Sequence, residues 1–97
     1  MCGIIVINSN RPVSSTIISS LKKLEYRGYD SAGIATLSNN EIYEVKSEGR
    51  VDNLENNLLV QKMEGTIGIG HVRWATHGLP NSINAHPHSS QNVSVVH

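Results

Sequence analysis

Cysteine occurs once in the chain, at position 2, ahead of Gly3 and the apolar run Ile4-Ile5-Val6-Ile7. A side chain as small as Cys normally permits removal of an initiator Met, which would leave Cys2 as the terminal residue. A terminal Cys carries its own base, because an α-amine titrates close to neutral pH and can take the thiol proton directly or through one water. Gly3 would let the backbone pass close to a ligand without a Cβ in the way. The chemistry indicated is that of a nucleophilic thiol. The plain alternative is a small buried hydrophobe with no reactivity.

A second candidate is Arg73-Trp74-Ala75-Thr76. A guanidinium fork holds a carboxylate through two bonds, and a Thr hydroxyl or a loop amide adds a third. Its alternative is an ordinary Arg lying at a strand end. Arg27 and Asp30, within Glu25-Tyr26-Arg27-Gly28-Tyr29-Asp30-Ser31-Ala32-Gly33, read equally well as a salt bridge beside a helix cap and a turn. All five histidines fall at or after position 71, at His71, His77, His86, His88 and His97. Such a cluster invites a metal reading, yet no pair has the i, i+4 spacing of a helical zinc site and no second thiol is present.

These residues need elements to hold them. Residues 3–8 read as a strand buried on both faces, a rigid mount for position 2. Pro12 with Ser14, Ser15 and Thr16 supplies helix-start chemistry, and Val13, Ile17, Ile18, Leu21 and Leu24 share one helical face. That helix is expected to end near Tyr26, with Gly28 as a left-handed cap. Gly33 to Leu37 and Ile42 to Ser47 predict a hairpin turned by Asn39-Asn40, whose side chains tolerate positive φ. Val51, Leu54 and Leu58 predict one helix over 52–63. Residues 66–73 form the next strand, where Gly68 and Gly70 permit close packing or ligand approach. From Trp74 to His88 the chain becomes an irregular polar loop, a common form of binding site. Asn92 to His97 reads as a strand still in progress. The order strand, helix, hairpin, helix, strand predicts an α+β fold with a largely antiparallel sheet.

Composition sets bounds. The 97 residues carry eight Lys+Arg against eight Asp+Glu, with no charge block, so nothing indicates a nucleic-acid partner or an acidic membrane surface. One cysteine makes no internal disulfide, which fits a reducing compartment. No apolar run reaches membrane-spanning length and no basic leader precedes it, so a cytoplasmic chain is expected.

Taken together, Cys2-Gly3-Ile4, EYRGYDSAGIA at 25–35, GHVRWATHG at 70–78 and NAHPH at 84–88 resemble the class II glutamine amidotransferases, in order and spacing and over the whole chain. Within that family they resemble most the members that feed ammonia to a separate sugar-phosphate isomerase domain, where fructose 6-phosphate becomes glucosamine 6-phosphate. The resemblance implies a four-layer αββα sandwich of the N-terminal-nucleophile hydrolase type, with no cofactor, no metal, and a homo-oligomer in full-length members. It implies Cys2 as the thiol that attacks the side-chain amide of glutamine, giving a γ-glutamyl thioester and ammonia. Arg73 matches the residue that holds the glutamine α-carboxylate, with Thr76 and His77 assisting. Trp74 matches a cover over the site that gates the ammonia passage. His86 matches a histidine of the glutamine pocket, and Arg27 an arginine that orders the site near the thiol.

Family members continue past the equivalent of His97 with an Asn-Gly pair, whose amides form the oxyanion hole, and later with an Asp for the glutamine α-amine. The chain is therefore expected to be the N-terminal part of a glutaminase domain, truncated at its C-terminal end, with the isomerase domain absent. A non-catalytic remnant or split-gene product lacking the oxyanion hole is the alternative, and a His-rich metal-binding module a third.

Overall fold

The computed structural model describes residues 2–75, 78–79 and 81–97. The first strand, β1 (Gly3–Asn8), is followed by helix α1 (Ser14–Leu24), which tightens into a single 3-10 turn, Glu25–Arg27. Strands β2 (Ser31–Ser38) and β3 (Glu41–Glu48) form the expected hairpin, with Asn39 and Asn40 at φ 53° and 64°. Two short helices, α2 (Val51–Glu55) and α3 (Leu58–Gln61), lead to β4 (Ile67–Arg73), and the minimal strands β5 (His88–Ser89) and β6 (Ser94–Val95) close the chain. Spatial order in the main sheet is β1-β4-β2-β3, with every neighbouring pair antiparallel. The fold is α+β, as expected, and presents one helical layer on one sheet.

Side-chain alternation assigns the two faces of that sheet. Val13, just ahead of α1, and Ile17, Ile18 and Leu21 within it are buried in a core with Ala32, Ile34, Val45, Val51, Leu54, Val60 and Val72 against one of them. Gly68 and Gly70 stand on this face of β4. A Cβ built at Gly70 would lie 2.5 Å from Ile17 and 3.0 Å from Ile5, so the missing side chains let α1 approach the sheet. Gly3 serves the same packing. Its Cβ would meet Val72 at 2.9 Å and Leu24 at 3.0 Å, so this glycine accommodates the core rather than a ligand. The opposite face carries Ile4, Val6, Leu37 and Ile67, all exposed. β1 is thus buried on one side only, not on both, because the antiparallel sheet has helices on a single face.

Other expectations require correction. Gly28 has φ 177° and is extended, not a left-handed cap. It is glycine for space, since a Cβ there would lie 2.4 Å from the carbonyl carbon of Arg73. The start of α1 uses no side-chain cap: Val13 is the boundary residue, and its amide donates to Gly65 O at 3.0 Å. The single helix over 52–63 is broken at Asn56-Asn57. Asn57 is extended (φ −73°, ψ 124°) and its side chain accepts from the Leu59 amide at 2.9 Å, starting a new helix. Asn competes well for backbone amides and so favours such caps over helix interiors. Val60 is buried in consequence, while Leu58 is exposed. Only Ser94–Val95 of the C-terminal segment is a strand, and it pairs with β5 rather than with the main sheet.

Gly70→Ala should lower stability by about 1–3 kcal/mol through overpacking against Ile17. Urea unfolding monitored by circular dichroism would measure this, and an unchanged midpoint would contradict the packing described.

Candidate active site

β4 lies between β1 and β2, and its register brings the chemistry-bearing residues together. Gly3 pairs with Val72, so Cys2, the residue before β1, lies at the same end of the sheet as Arg73, the last residue of β4. On the other side of β4, Ser31 pairs with Arg73 and Gly33 with His71. Strand alternation puts His71 and Arg73 on the face away from α1. Cys2 is half-buried and its thiol is free of any disulfide. Arg27, at the end of the 3-10 turn, donates from Nε to the Cys2 carbonyl at 2.9 Å. This bond ties the Cys2 backbone to the segment after α1.

Arg73 is 7% exposed, and its Nη1 donates to Leu79 O at 3.0 Å. The same carbonyl accepts from Asn84 Nδ2 at 2.9 Å, and the Asn84 amide donates to Asn81 Oδ1 at 3.0 Å. Leu79, Asn81 and Asn84 are therefore linked to one another and to the Arg73 side chain. Trp74 is half-exposed and meets the edge of Tyr29, with centroids 6.1 Å apart. The Arg50 guanidinium lies 5.8 Å from the Tyr29 ring centre and also pairs with Glu25 at 3.3 Å. Thr76 and His77, both expected in the site, lie outside the described residues.

The segment 84–88 lies flat on the sheet beside this end. A Cβ at Gly33 would fall 1.8 Å from His86 O, so only glycine permits the approach. His86 then stacks on His71 at 4.3 Å between centroids and touches His88 and His97, both at 4.4 Å. His71 is fully buried, and its Nε2 meets His97 O at 2.5 Å. A carbonyl only accepts, so Nε2 carries the proton and Nδ1 is the unprotonated nitrogen. Burial lowers the pKa of His71 despite that bond. Burial also pushes His86 down to about 4, with further lowering from the neighbouring His71, His88, His97 and Arg73. Among the described residues, no three or more His, Cys, Asp or Glu side chains are disposed to hold a metal ion, so the His-rich metal reading gains no geometry here.

Cys2, Arg27, Arg73, Trp74 and His86 thus all gather at one end of the sheet. The ion pair left open between Arg27 and Asp30 does not form. Arg27 turns to Cys2, and Asp30 turns to the Ala75 amide and the Ser31 hydroxyl. The roles of Asp30 and Gly33 went unread in the sequence. Gly33 lay in an otherwise apolar strand, and such a glycine is the usual signal of a close backbone approach. Two cavities, of about 350 and 240 Å³, lie elsewhere. The larger is lined by Tyr43, Leu59 and Met63, and the smaller separates Leu37 and Ile67 from Asn92.

Two depressed histidines set the acid limit of this arrangement. As pH falls through about 6.5, the unfolded chain takes up protons that folded His71 and His86 refuse, so stability falls. For His86 the loss continues down to about 4. Thermal melts should show the midpoint dropping across this window. His86→Gln, which does not titrate, should flatten the decline, and an equally steep decline would contradict the assignment.

No protein-family model matches the chain. It is 54% identical over all 97 residues to a glutamine–fructose-6-phosphate aminotransferase (isomerizing) of Mesorhizobium japonicum. The corresponding proteins of Bradyrhizobium diazoefficiens and Bartonella henselae are 53% and 50% identical over the same length. In each case the chain spans 16% of the relative's length. Among solved structures, the glutamine phosphoribosylpyrophosphate amidotransferase of B. subtilis, complexed with ADP and GMP, superimposes with a TM-score of 0.75. That match covers 97% of this chain and 20% of the other at 24% identity, a likeness of fold. By sequence along its whole length and by fold, the chain matches the N-terminal 16% of glutamine–fructose-6-phosphate aminotransferase, with the architecture of the N-terminal-nucleophile glutamine amidotransferases.

Proposed function

We propose that this chain is the nucleophile-bearing part of a glutaminase that supplies ammonia for the amination of fructose 6-phosphate to glucosamine 6-phosphate. One observation carries the reading: the β1–β4 register, ending at the Gly3–Val72 pair, brings Cys2 and Arg73 to the same end of the sheet. Once Met1 is removed, the Cys2 α-amine takes the thiol proton. The thiolate adds to the side-chain amide carbon of glutamine, the tetrahedral adduct collapses, and the ammonium formed at Cys2 returns its proton to the departing nitrogen. Ammonia leaves, a γ-glutamyl thioester remains, and water hydrolyses it to glutamate and free thiol.

Arg73 grips the α-carboxylate, a role supported by its place at the end of β4 and by its burial. Arg27 fixes the Cys2 backbone through the carbonyl bond. Trp74 covers the bound amide, and His86 shapes the pocket wall beside Arg73. Thr76 and His77 would add hydrogen bonds from the loop.

Intact mass of the protein made in its native cell should show Met1 absent, and retention of Met1 would remove the proposed base. With the chain carried on to the length of its relatives, Cys2→Ala should abolish glutamate release while leaving glutamine binding intact. Arg73→Lys should raise the glutamine KM by about ten- to a hundredfold, because a point charge replaces a two-pronged grip. Kinetics equal to the parent's would make Arg73 structural and sink the reading.

A further inference from the structure

Asp30 makes contacts that its sequence neighbourhood does not announce. Its Oδ2 accepts from the Ala75 amide at 2.5 Å and its Oδ1 from the Ser31 hydroxyl at 3.0 Å. Its own amide donates to the Arg73 carbonyl at 3.4 Å, and its carbonyl accepts from the Gly49 amide at 2.8 Å. Backbone and side chain of one residue therefore bracket the segment Arg73–Ala75 where it leaves β4. The two preceding residues touch the same segment. Gly28 lies against the Arg73 carbonyl and the Trp74 amide, and Tyr29 meets the Trp74 ring.

We infer that Asp30 is a positioning residue, which fixes the Arg73–Ala75 backbone through the Ala75 amide and the Arg73 carbonyl and so sets where the Arg73 guanidinium and the Trp74 ring stand. The ladder between β2 and β4 ends at the Ser31–Arg73 pair, so beyond it the Ala75 amide has no strand partner in that ladder. A carboxylate is the strongest acceptor available for such an amide, because the bond is charge-assisted. Asp30 is half-buried, where water competes less for that bond. The bond from the Gly49 amide to the Asp30 carbonyl anchors the backbone that bears the carboxylate. None of the contacts of Asp30 described above reaches Cys2. It acts through the backbone of 73–75, and the predicted consequence is in substrate affinity rather than in thiol chemistry. That consequence rests on the reading of Arg73 as the carboxylate clamp, whereas the positioning itself does not.

The test uses the full-length protein labelled with 5-fluorotryptophan, the Trp74 resonance being assigned by its loss in Trp74→Phe. Asp30→Ala should shift or broaden that resonance. It should also raise the glutamine KM by about tenfold, with kcat changed by less than about threefold. Asp30→Asn keeps an acceptor oxygen and should restore most of both. A generally weakened fold would instead lower kcat through loss of active protein, at constant KM and without rescue by Asn. An unmoved Trp74 resonance in Asp30→Ala, or an Asn variant no better than the Ala one, overturns the inference. Should Asp30→Ala fail to fold, Asp30→Glu carries the test. Its carboxylate sits one methylene further out and must move the resonance, and an unmoved resonance again overturns the inference. If Arg73→Lys leaves the glutamine KM unchanged while Asp30→Ala still shifts Trp74, the clamp reading falls and the positioning stands.

Discussion

The structure depends on β4 having two different faces. Toward α1 it offers Gly68 and Gly70, and the absence of side chains lets Ile17 press directly on the strand. Toward the other side the same strand offers His71 and Arg73, both buried. An apolar side chain at either glycine would push α1 outward and would move the 3-10 turn that follows it. That turn carries Arg27, which bonds to the Cys2 carbonyl. Packing on one face of β4 is therefore coupled to the placement of Cys2 at the same end of the sheet. The coupling runs through a rigid strand and a buried helix, elements that resist small displacements because protein interiors are close-packed.

How much of this was legible in the sequence follows from which interactions are local. The apolar spacing Val13, Ile17, Ile18, Leu21 announced α1, and Asn39-Asn40 announced the hairpin, because both signals lie within a few residues of the structure they specify. The gathering of Cys2, Arg27, Arg73, Trp74 and His86 at one end of the sheet was expected from the family resemblance alone. No periodicity could reveal that β4 enters between β1 and β2. The misreadings share a cause. Gly28 resembled a helix cap because glycine after a helix usually is one, but the deciding contact is with Arg73, forty-five positions further along in sequence. The break at Asn56-Asn57 was locally readable, and the leucine spacing concealed it.

The histidine cluster shows why side-chain type is a poor guide to chemistry without burial. Read as a list, five histidines in the final third of the chain resemble a ligand set. In the fold, the His71 and His86 rings lie against each other while the His86 backbone rests on Gly33 of β2, and both Nδ1 atoms are unpartnered among the described residues. Such nitrogens are costly to bury in the absence of compensation, and the gain that offsets them is the close docking of 84–88 on Gly33.

Charge placement completes the argument. Burial, with a smaller contribution from the neighbouring Arg73 guanidinium, lowers the pKa of His71 and His86 and so favours their neutral forms. Charged imidazoles there would spread positive charge across the whole end of the sheet and attract an anion to several places at once. Neutral ones leave the guanidinium as the principal cation among these three groups. Under the proposed reading, glutamine is a zwitterion with a reactive amide at the far end of its side chain. Fixing its carboxylate at Arg73 fixes how far that amide extends toward Cys2, and correct distance and direction are the main requirements for a thiolate to attack. The buried histidines then contribute by staying uncharged beside the guanidinium.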